Sequence, residues 1–189
     1  MITSASVAVI ALGGNLPSPL GPPAQTLIAA IRAMPAAGLR LRAVSRFFHT
    51  PCFPAGAGPD FVNAVVAVES GLPPGEILDR LHAIERQLGR VREKRWGERS
   101  IDLDLLAVGD TVLPDAAVQR RWRELPPGQQ AEIAPDQLVL PHPRLQERAF
   151  VLVPMRDIMP GWVHPLLGRD VASLCAALPP EDLAQVRPL

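Results

Sequence analysis

The spacing of apolar and polar residues predicts alternating strands and helices over the first 108 residues. Strands are indicated by β-branched, apolar runs or by strict alternation, and helices by apolar positions that recur every three to four residues. The predicted elements are, in chain order, strand 6–12, helix 20–34, strand 39–49, strand 61–69, helix 75–88 and strand 100–108. The order β-α-β-β-α-β is typical of an α+β, ferredoxin-like fold, with an antiparallel sheet and both helices on one face.

This topology separates the two sides of each strand. In the segment SIDLDLL, Asp102 and Asp104 share one face, and the apolar residues between them should lie under the helices. We therefore expect both carboxylates on the open face of the sheet. On the strand 61–69, Asn63 fits that open face better than the aliphatic face that begins at Val62.

The remainder of the chain is predicted as an insertion followed by a C-terminal extension. Residues 109–137 are polar and interrupted by prolines, which predicts an inserted loop with one short helix around residues 116–125. Apolar character resumes at residue 138, and the tail from residue 164 predicts one or two terminal helices. No repeat or linker divides the chain, so residues 1–189 are expected to form a single domain.

The composition excludes several classes of protein. With 19 basic and 19 acidic residues the net charge is zero, so no overall field attracts nucleic acid or an anionic membrane. No apolar run approaches the roughly 18 residues that a membrane span needs. The apolar N-terminus lacks a basic n-region, which favours a buried strand over a signal peptide. Two cysteines are too few for a disulfide framework, and a cytoplasmic location is expected.

The charge is instead concentrated in residues 89–106, which read GRVREKRWGERSIDLDLL. Five cations occur within ten residues: Arg90, Arg92, Lys94, Arg95 and Arg99. Clustered arginines suit a polyphosphate, and two carboxylates one pleat apart, Asp102 and Asp104, suit a hard cation such as Mg²⁺. A solvated turn and an acidic edge strand would give the same pattern without a ligand. A helix C-terminus explains Arg90, but not the cations beyond the last turn.

Other candidate motifs are weaker. Gly13 and Gly14 predict a tight turn, since the chain holds no G-x-x-x-x-G-K-[ST] phosphate loop. Trp96 could cover an aromatic ring or a nucleobase. His142 lies between two prolines, and both a structural role and an extension of the phosphate site stay open.

Five segments together resemble the 6-hydroxymethyl-7,8-dihydropterin pyrophosphokinase family. They are ALGGNL, FHTPCF, PDFVNAVV, the 89–106 segment and LPHPRLQERAFVLVP, which occur in the family's order. The resemblance spans about residues 8–160, and its pattern R-W-G-x-R-x-x-D-x-D with P-H-P is specific. It implies transfer of pyrophosphate from ATP to the hydroxymethyl group of a reduced pterin, with release of AMP, in folate biosynthesis. It also implies two Mg²⁺ ions.

The resemblance assigns expected roles to individual residues. The metal ligands are Asp102 and Asp104, which are counted with the catalytic arginines Arg90 and Arg99. The expected ATP contacts are Glu85, Arg92, Arg95, Trp96, His142 and Arg148. The expected pterin contacts are Thr50, Pro51, Phe53, Phe61, Asn63 and Phe150. The expected partners are these two substrates, with no nucleic acid and no membrane, and the protein is expected to be a monomer.

Three features depart from the family pattern. Gly14 stands where serine is expected, and Phe61 stands where tyrosine is frequent. The 109–137 segment is longer than expected, and Arg120, Arg121, Trp122 and Arg123 have no counterpart. A tolerated surface insertion, a cap on the nucleotide and a contact with another protein are all compatible with it.

Two other classes of function are compatible with parts of the pattern. A ferredoxin-like sheet can bind RNA by stacking bases on its open face, but Asp102 and Asp104 on that face would repel a phosphate chain without metal. A metal-dependent cyclase or nuclease could use the same two acids. Binding of an ATP analogue with and without Mg²⁺ and pterin separates these classes.

Overall fold

The computed structural model describes residues 5–52, 58–89, 99–126, 129 and 133–189. The strands are β1 (Ser6–Gly14), β2 (Arg40–Val44), β3 (Phe48–Thr50), β4 (Phe61–Ser70), β5 (Asp102–Val108) and β6 (Arg187–Pro188). The α-helices are α1 (Pro23–Ala33), α2 (Pro74–Gln87), α3 (Ala116–Arg123), α4 (Ala149–Ile158), α5 (Val171–Ala176) and α6 (Pro180–Ala184). Short 3₁₀ turns lie at Pro35–Ala37 and Leu145–Glu147.

The strands form one antiparallel sheet in the order β5-β1-β4-β3-β6, and β2 also pairs with β4. The α+β class predicted from the sequence is confirmed, and this strand order fits the ferredoxin-like arrangement. The predicted strand 39–49 is instead two strands, β2 and β3. Between them, the backbone N–H of Ser45 donates to the carbonyl of Val65, and the N–H of Val65 donates to the Ser45 hydroxyl.

Helices α1 and α2 cover one face of the sheet, as predicted. Each begins at a proline that follows another proline, so the fixed backbone of the ring starts the helix without losing a hydrogen bond. Their apolar stripes enclose a first core with the inward residues of β1, β4 and β5, including Ile10, Val66 and Leu103. Because Leu103 and Leu105 lie in this core, the aspartates beside them belong to the other face.

The opposite face was expected to be open, and over much of its length it is not. Helix α4 packs on β4, and a second core joins Val9, Val65 and Leu106 to α4 and α5. No helix is predicted here from the residue pattern, because α4 is apolar on most sides and carries Pro154 in its interior. Among the described residues, Asn63, Gly13 and Asp102 share this face and belong to neither core.

The predicted helix within residues 109–137 is confirmed as α3. The carboxylate of Asp115 accepts the N–H of Val118 and caps its first turn. Gln119 is fully buried, and its side-chain amide donates to the carbonyl of Pro141. The insertion is thus attached to the body of the protein. Within the described residues, no helix has the length and apolar character needed to cross a membrane.

Candidate metal and nucleotide site

Strand register gathers the main candidate residues at one end of the sheet. Gly13 of β1 pairs with Asn63 of β4 on one side and with Asp102 of β5 on the other. Two residues further along the strands, on the same face, Ala11 pairs with Asp104. Two strand spacings put the backbones of Asn63 and Asp102 about 10 Å apart on the same face. A ligand the size of a bicyclic ring can lie between them.

Asp102 and Asp104 are half-buried and lie close to two cations, Arg99 and Arg148. The Arg99 guanidinium donates to Oδ2 of Asp102. Burial lowers the pKa of Arg148, the nearby Asp104 and Asp102 carboxylates raise it, and Arg99 lowers it again. An arginine keeps its charge despite such a shift. Arg144 is half-buried beside Arg148, and its guanidinium pairs with Glu147. The site therefore combines acidic oxygens with fixed positive charge.

His142 lies beside these groups as a neutral ring. Its backbone N–H donates to the Leu106 carbonyl, and its Nδ1 accepts the N–H of Arg144 at 3.1 Å. Burial, together with the charges of Arg148 and Arg144, lowers the pKa of His142 to about 3. The structure therefore brings His142 to the predicted phosphate site, where at neutral pH its Nε2 can act as a donor.

A cavity of about 440 Å³ opens next to these residues. Its polar lining residues are Asp104, Asp136, Gln137, His142, Arg144 and Arg148, and its apolar ones include Leu78, Trp122, Ile133, Pro135 and Leu138. The cavity therefore combines charged groups with apolar and aromatic surface. Such a cavity suits a ligand with one anionic end and one flat, apolar end.

Glu85 was expected at the ATP site and has a different environment. Its side chain is only 1% exposed, and Oε1 accepts the N–H of Leu103 at 2.7 Å. Leu103 lies between the two aspartates on β5, the edge strand of the sheet. Glu85 thus stabilises the strand that carries the carboxylates, while its contact with ATP stays a prediction.

The candidate pterin residues lie on β3 and β4. The side-chain amide of Asn63 donates to the Thr50 hydroxyl at 2.7 Å, and both residues are buried. Thr50 pairs with the half-buried Phe61, and Pro51 follows it at the surface. A Cβ on Gly13 would lie 2.8 Å from Oδ1 of Asn63, so the glycine leaves room for this side chain.

Phe150 occupies the first turn of α4 and is 40% exposed. The guanidinium carbon of Arg148 lies 5.6 Å from the centre of its ring, a cation–π contact. The structure therefore joins this predicted pterin residue to a predicted nucleotide residue. Its exposed ring surface is available for an aromatic ligand.

Asn15 is a site residue that the sequence interpretation missed. It is 4% exposed, and its Oδ1 accepts the N–H of Arg99 while its Nδ2 donates to the Pro59 carbonyl. Its backbone N–H donates to the Arg99 carbonyl. Asn15 thus holds the residues on both sides of the site together. The signal in the sequence was a polar residue directly after two glycines at the end of an apolar strand.

Gly14 also has a physical explanation. A Cβ at this position would lie 2.6 Å from the Ser100 carbonyl oxygen, which is too close for any side chain without a backbone shift. The departure from serine therefore matches the close approach of β1 to the residues before β5.

Several predicted residues lie outside the described part of the chain. They are Phe53, Arg90, Arg92, Lys94, Arg95 and Trp96. Their roles stay predictions.

The described residues fit a magnesium ion that is shared with a substrate. Among them, no cluster of three or more His, Cys, Asp or Glu side chains could enclose a metal by itself. Mg²⁺ typically takes one or two carboxylates and completes its octahedron with water and phosphate oxygens. Asp102 and Asp104 supply that number of carboxylates. Together with the arginines and the cavity, the chemistry of this site on an antiparallel α+β sheet is that of a nucleotide-using transferase.

Comparison with known proteins gives the family. The sequence pattern of the family described as 7,8-dihydro-6-hydroxymethylpterin-pyrophosphokinase (HPPK) matches residues 9–160. The 2-amino-4-hydroxy-6-hydroxymethyldihydropteridine pyrophosphokinase of Pseudomonas aeruginosa is 36% identical over 94% of this chain and 94% of its own length. The enzyme of that name from Synechocystis is 35% identical over 88% of this chain and 73% of its own length.

The chain belongs to the 7,8-dihydro-6-hydroxymethylpterin-pyrophosphokinase family. It is an ATP-dependent pyrophosphokinase of folate biosynthesis, as the resemblance predicted.

Solved structures support the fold. The wild-type HPPK-DHPS of Plasmodium falciparum superposes with a TM-score of 0.62 at 14% identity. The match covers 92% of this chain but only 44% of that longer chain. At this identity the likeness concerns the fold of the matching part.

Proposed function

We propose that this chain performs the family's reaction at the end of the sheet that carries Asn63, Gly13 and Asp102. Pyrophosphate passes there from ATP to the hydroxymethyl group of 6-hydroxymethyl-7,8-dihydropterin. The main support is that Asp102 and Asp104 lie on one face of the sheet. Arg99 bonds to Asp102, and Asp104 lines the same cavity as Arg148. A site with both carboxylates and arginines suits a magnesium–polyphosphate complex better than it suits free Mg²⁺ or a free polyphosphate.

The pterin binds at the other end of the same row. Asn63 presents amide donors and an acceptor, which match the alternating donors and acceptors at the edge of a pterin ring. Thr50 fixes the orientation of that amide. Phe150 and a second aromatic residue, with Phe61 as the described candidate, contact the ring faces. The separation of about 10 Å between Asn63 and Asp102 leaves the hydroxymethyl group near the carboxylates.

The residues of the chain then align and stabilise the reacting groups. Asp102 and Asp104 would hold two Mg²⁺ ions, which would supply the positive charge that neutralises the polyphosphate. The alcohol oxygen attacks the β-phosphorus in line. The bond from the β-phosphorus to the oxygen that bridges it to the α-phosphate breaks, and AMP leaves. Asp102 or Asp104 orients the hydroxyl or accepts its proton, and Arg99 stabilises charge on the transferred group. His142 and Arg148 contact the nucleotide. The protein acts as a monomer in the cytoplasm.

The fold disfavours the RNA-binding alternative. A module of that class uses the broad face of its sheet, and here α4 packs on the face that the helices α1 and α2 leave free.

The test is replacement of the two carboxylates. Asp102→Asn and Asp104→Asn should each lower kcat at least a hundredfold and weaken the response to Mg²⁺, because an amide is a poor ligand for this ion. AMP release in a rapid-quench assay measures this. Asp79→Asn changes an exposed carboxylate on α2 and should keep wild-type turnover. Native turnover in both site variants would refute the proposal.

A further inference from the structure

The segment 109–137, unexpected in length, supplies one wall of the cavity next to Asp104. Trp122 of α3 and Ile133 beyond it line this wall together with Leu78 of α2. Ile133 is 47% exposed and Trp122 is half-buried, so both keep apolar surface available to a ligand. Surface of this kind at a cavity rim is costly to leave in water and indicates a contact site.

The position of Trp122 is fixed by its neighbours along the helix. Gln119 donates to the carbonyl of Pro141, the residue before His142. Arg123 in turn donates to Oε1 of Gln119 at 3.1 Å. Helix α3 is therefore bonded to the same short segment that carries the polar side of the cavity. Trp122 lies between these two anchoring positions and is held in a defined place relative to His142.

The distribution of charge orients a nucleotide in this cavity. Arg144, Arg148 and Asp104 line the cavity and suit a polyphosphate with its metal. Trp122, Ile133 and Leu78 line it too, and a flat ring can lie against the indole of Trp122. Asp136 is a further charged residue of the lining. The length of the ligand then runs from α3 toward β5.

We propose that Trp122 is the residue against which the base of the nucleotide stacks, with Ile133 beside it, so that the inserted segment determines affinity for the base. This inference rests on the proposed function, because it takes ATP as the nucleotide. Of the three interpretations of the insertion, it selects the cap on the nucleotide.

The test compares a ligand that has a base with one that has none. Binding of Mg²⁺ with α,β-methylene-ATP and with inorganic tripolyphosphate is measured by calorimetry for the wild type, Trp122→Ala and Trp122→Phe. Arg121→Ala is the matched control, since Arg121 is exposed on the same helix and does not line the cavity. Circular dichroism and the thermal midpoint establish that each variant is folded.

We expect Trp122→Ala to lower the affinity for the nucleotide analogue about tenfold, as the loss of one base stack does. Tripolyphosphate should bind within twofold of wild type, and Trp122→Phe should recover most of the affinity. Unchanged binding of the analogue to Trp122→Ala, or an equal loss for both ligands, would overturn the inference. If the wild type itself bound no analogue, the proposed function would fail as well, so the two failures are distinguishable.

Discussion

Gly13 shows how a missing side chain can position a neighbour. It lies between Asn63 and Asp102 in the middle of the row that forms the site. The Asn63 side chain leans over it and bonds to Thr50. The predicted tight turn at Gly13 and Gly14 is wrong, because both residues lie in β1. The neighbour that uses the space at Gly13 is Asn63, 50 residues away, so no local pattern could reveal it.

Replacement of Gly13 should therefore act on the pterin end of the site. In Gly13→Ala the new Cβ displaces Oδ1 of Asn63 and weakens the bond to Thr50. We expect the KM for the dihydropterin to rise about fivefold, since one oriented hydrogen bond contributes roughly 1 kcal/mol. Steady-state kinetics with each substrate varied would show this, with the KM for ATP near wild type. Gly75→Ala is the control, because no atom lies within 4 Å of its added Cβ. An unchanged pterin KM would contradict the placement of Asn63.

Arg99 combines a catalytic side chain with a structural backbone. Its guanidinium bonds to Asp102, while its N–H and carbonyl bond to Asn15. Arg99→Ala removes only the guanidinium. We expect kcat to fall by about two orders of magnitude, the usual effect of losing a preorganised charge donor, with little loss of stability. Rapid-quench turnover at the wild-type rate in this variant would exclude the catalytic role.

Local patterns identified some site residues and could not identify others. Asp102, Asp104 and Arg99 lie within six residues of one another in the chain, so their spacing alone places them together. His142 could be recognised by its flanking prolines and the family motif. Asn15 and Trp122 acquire their positions from residues distant in sequence, and no local pattern reports such contacts.

Strand β1 and the residues after it connect the two halves of the site. Through Asn15, the end of this strand is bonded to Pro59 on the pterin side and to Arg99 on the phosphate side. Asn15 is 4% exposed and its two bonds are partly buried, so water competes weakly with them.

Two substitutions of Asn15 separate the two connections. Asn15→Asp keeps the acceptor for the Arg99 N–H but places an oxygen against the Pro59 carbonyl, so we expect it to raise the pterin KM more than it lowers kcat. Asn15→Ala removes both bonds and should lower kcat as well, with a loss of about 1–3 kcal/mol in unfolding free energy. Ser18→Ala, which removes a hydroxyl bonded to Thr26, is the control. Identical kinetics for both Asn15 variants would contradict this division.

Helix α4 was the element that pattern analysis could not assign. Its six buried residues point in several directions because it lies under α5 as well as on β4, so no single apolar stripe exists. By contrast, α1 and α2 each contact one surface and have clear stripes. The helices that could be predicted are therefore those with one solvent-facing side.

The molecule has two cores, one on each face of a shared sheet. The C-terminal segment completes the second core and also contains His164, which is fully buried. Nδ1 of this ring accepts the N–H groups of Leu166 and Leu167. Burial and the charge of Arg123, which lies on α3, lower the pKa of His164 to about 4.

This lowered pKa predicts loss of stability in acid. The unfolded chain binds a proton at this ring near pH 6.5, whereas the folded protein resists it until about pH 4. Neutral His164 therefore contributes its full share of the unfolding free energy above pH 6.5, and this share declines as the pH falls toward 4. Between pH 7 and pH 5 the unfolding free energy should fall by about 2 kcal/mol through this ring.

Urea unfolding across this range would measure the effect. His164→Asn keeps an acceptor for the two N–H groups but does not titrate, so its unfolding free energy should depend less on pH below 6.5. Above pH 7 the two proteins should differ by a constant amount. Parallel curves down to pH 5 would show that His164 does not contribute to the acid dependence.

The chain's own residues were sufficient for the class of fold, the helices of the first face and the carboxylate pair on β5. Each depends on periodicity or on spacing within a few residues, which the sequence displays directly. The second core, the bonds of Asn15 and the placement of Trp122 beside His142 were decided only by folding. They depend on contacts between segments tens of residues apart. Such contacts form only when helices pack on both faces of the sheet.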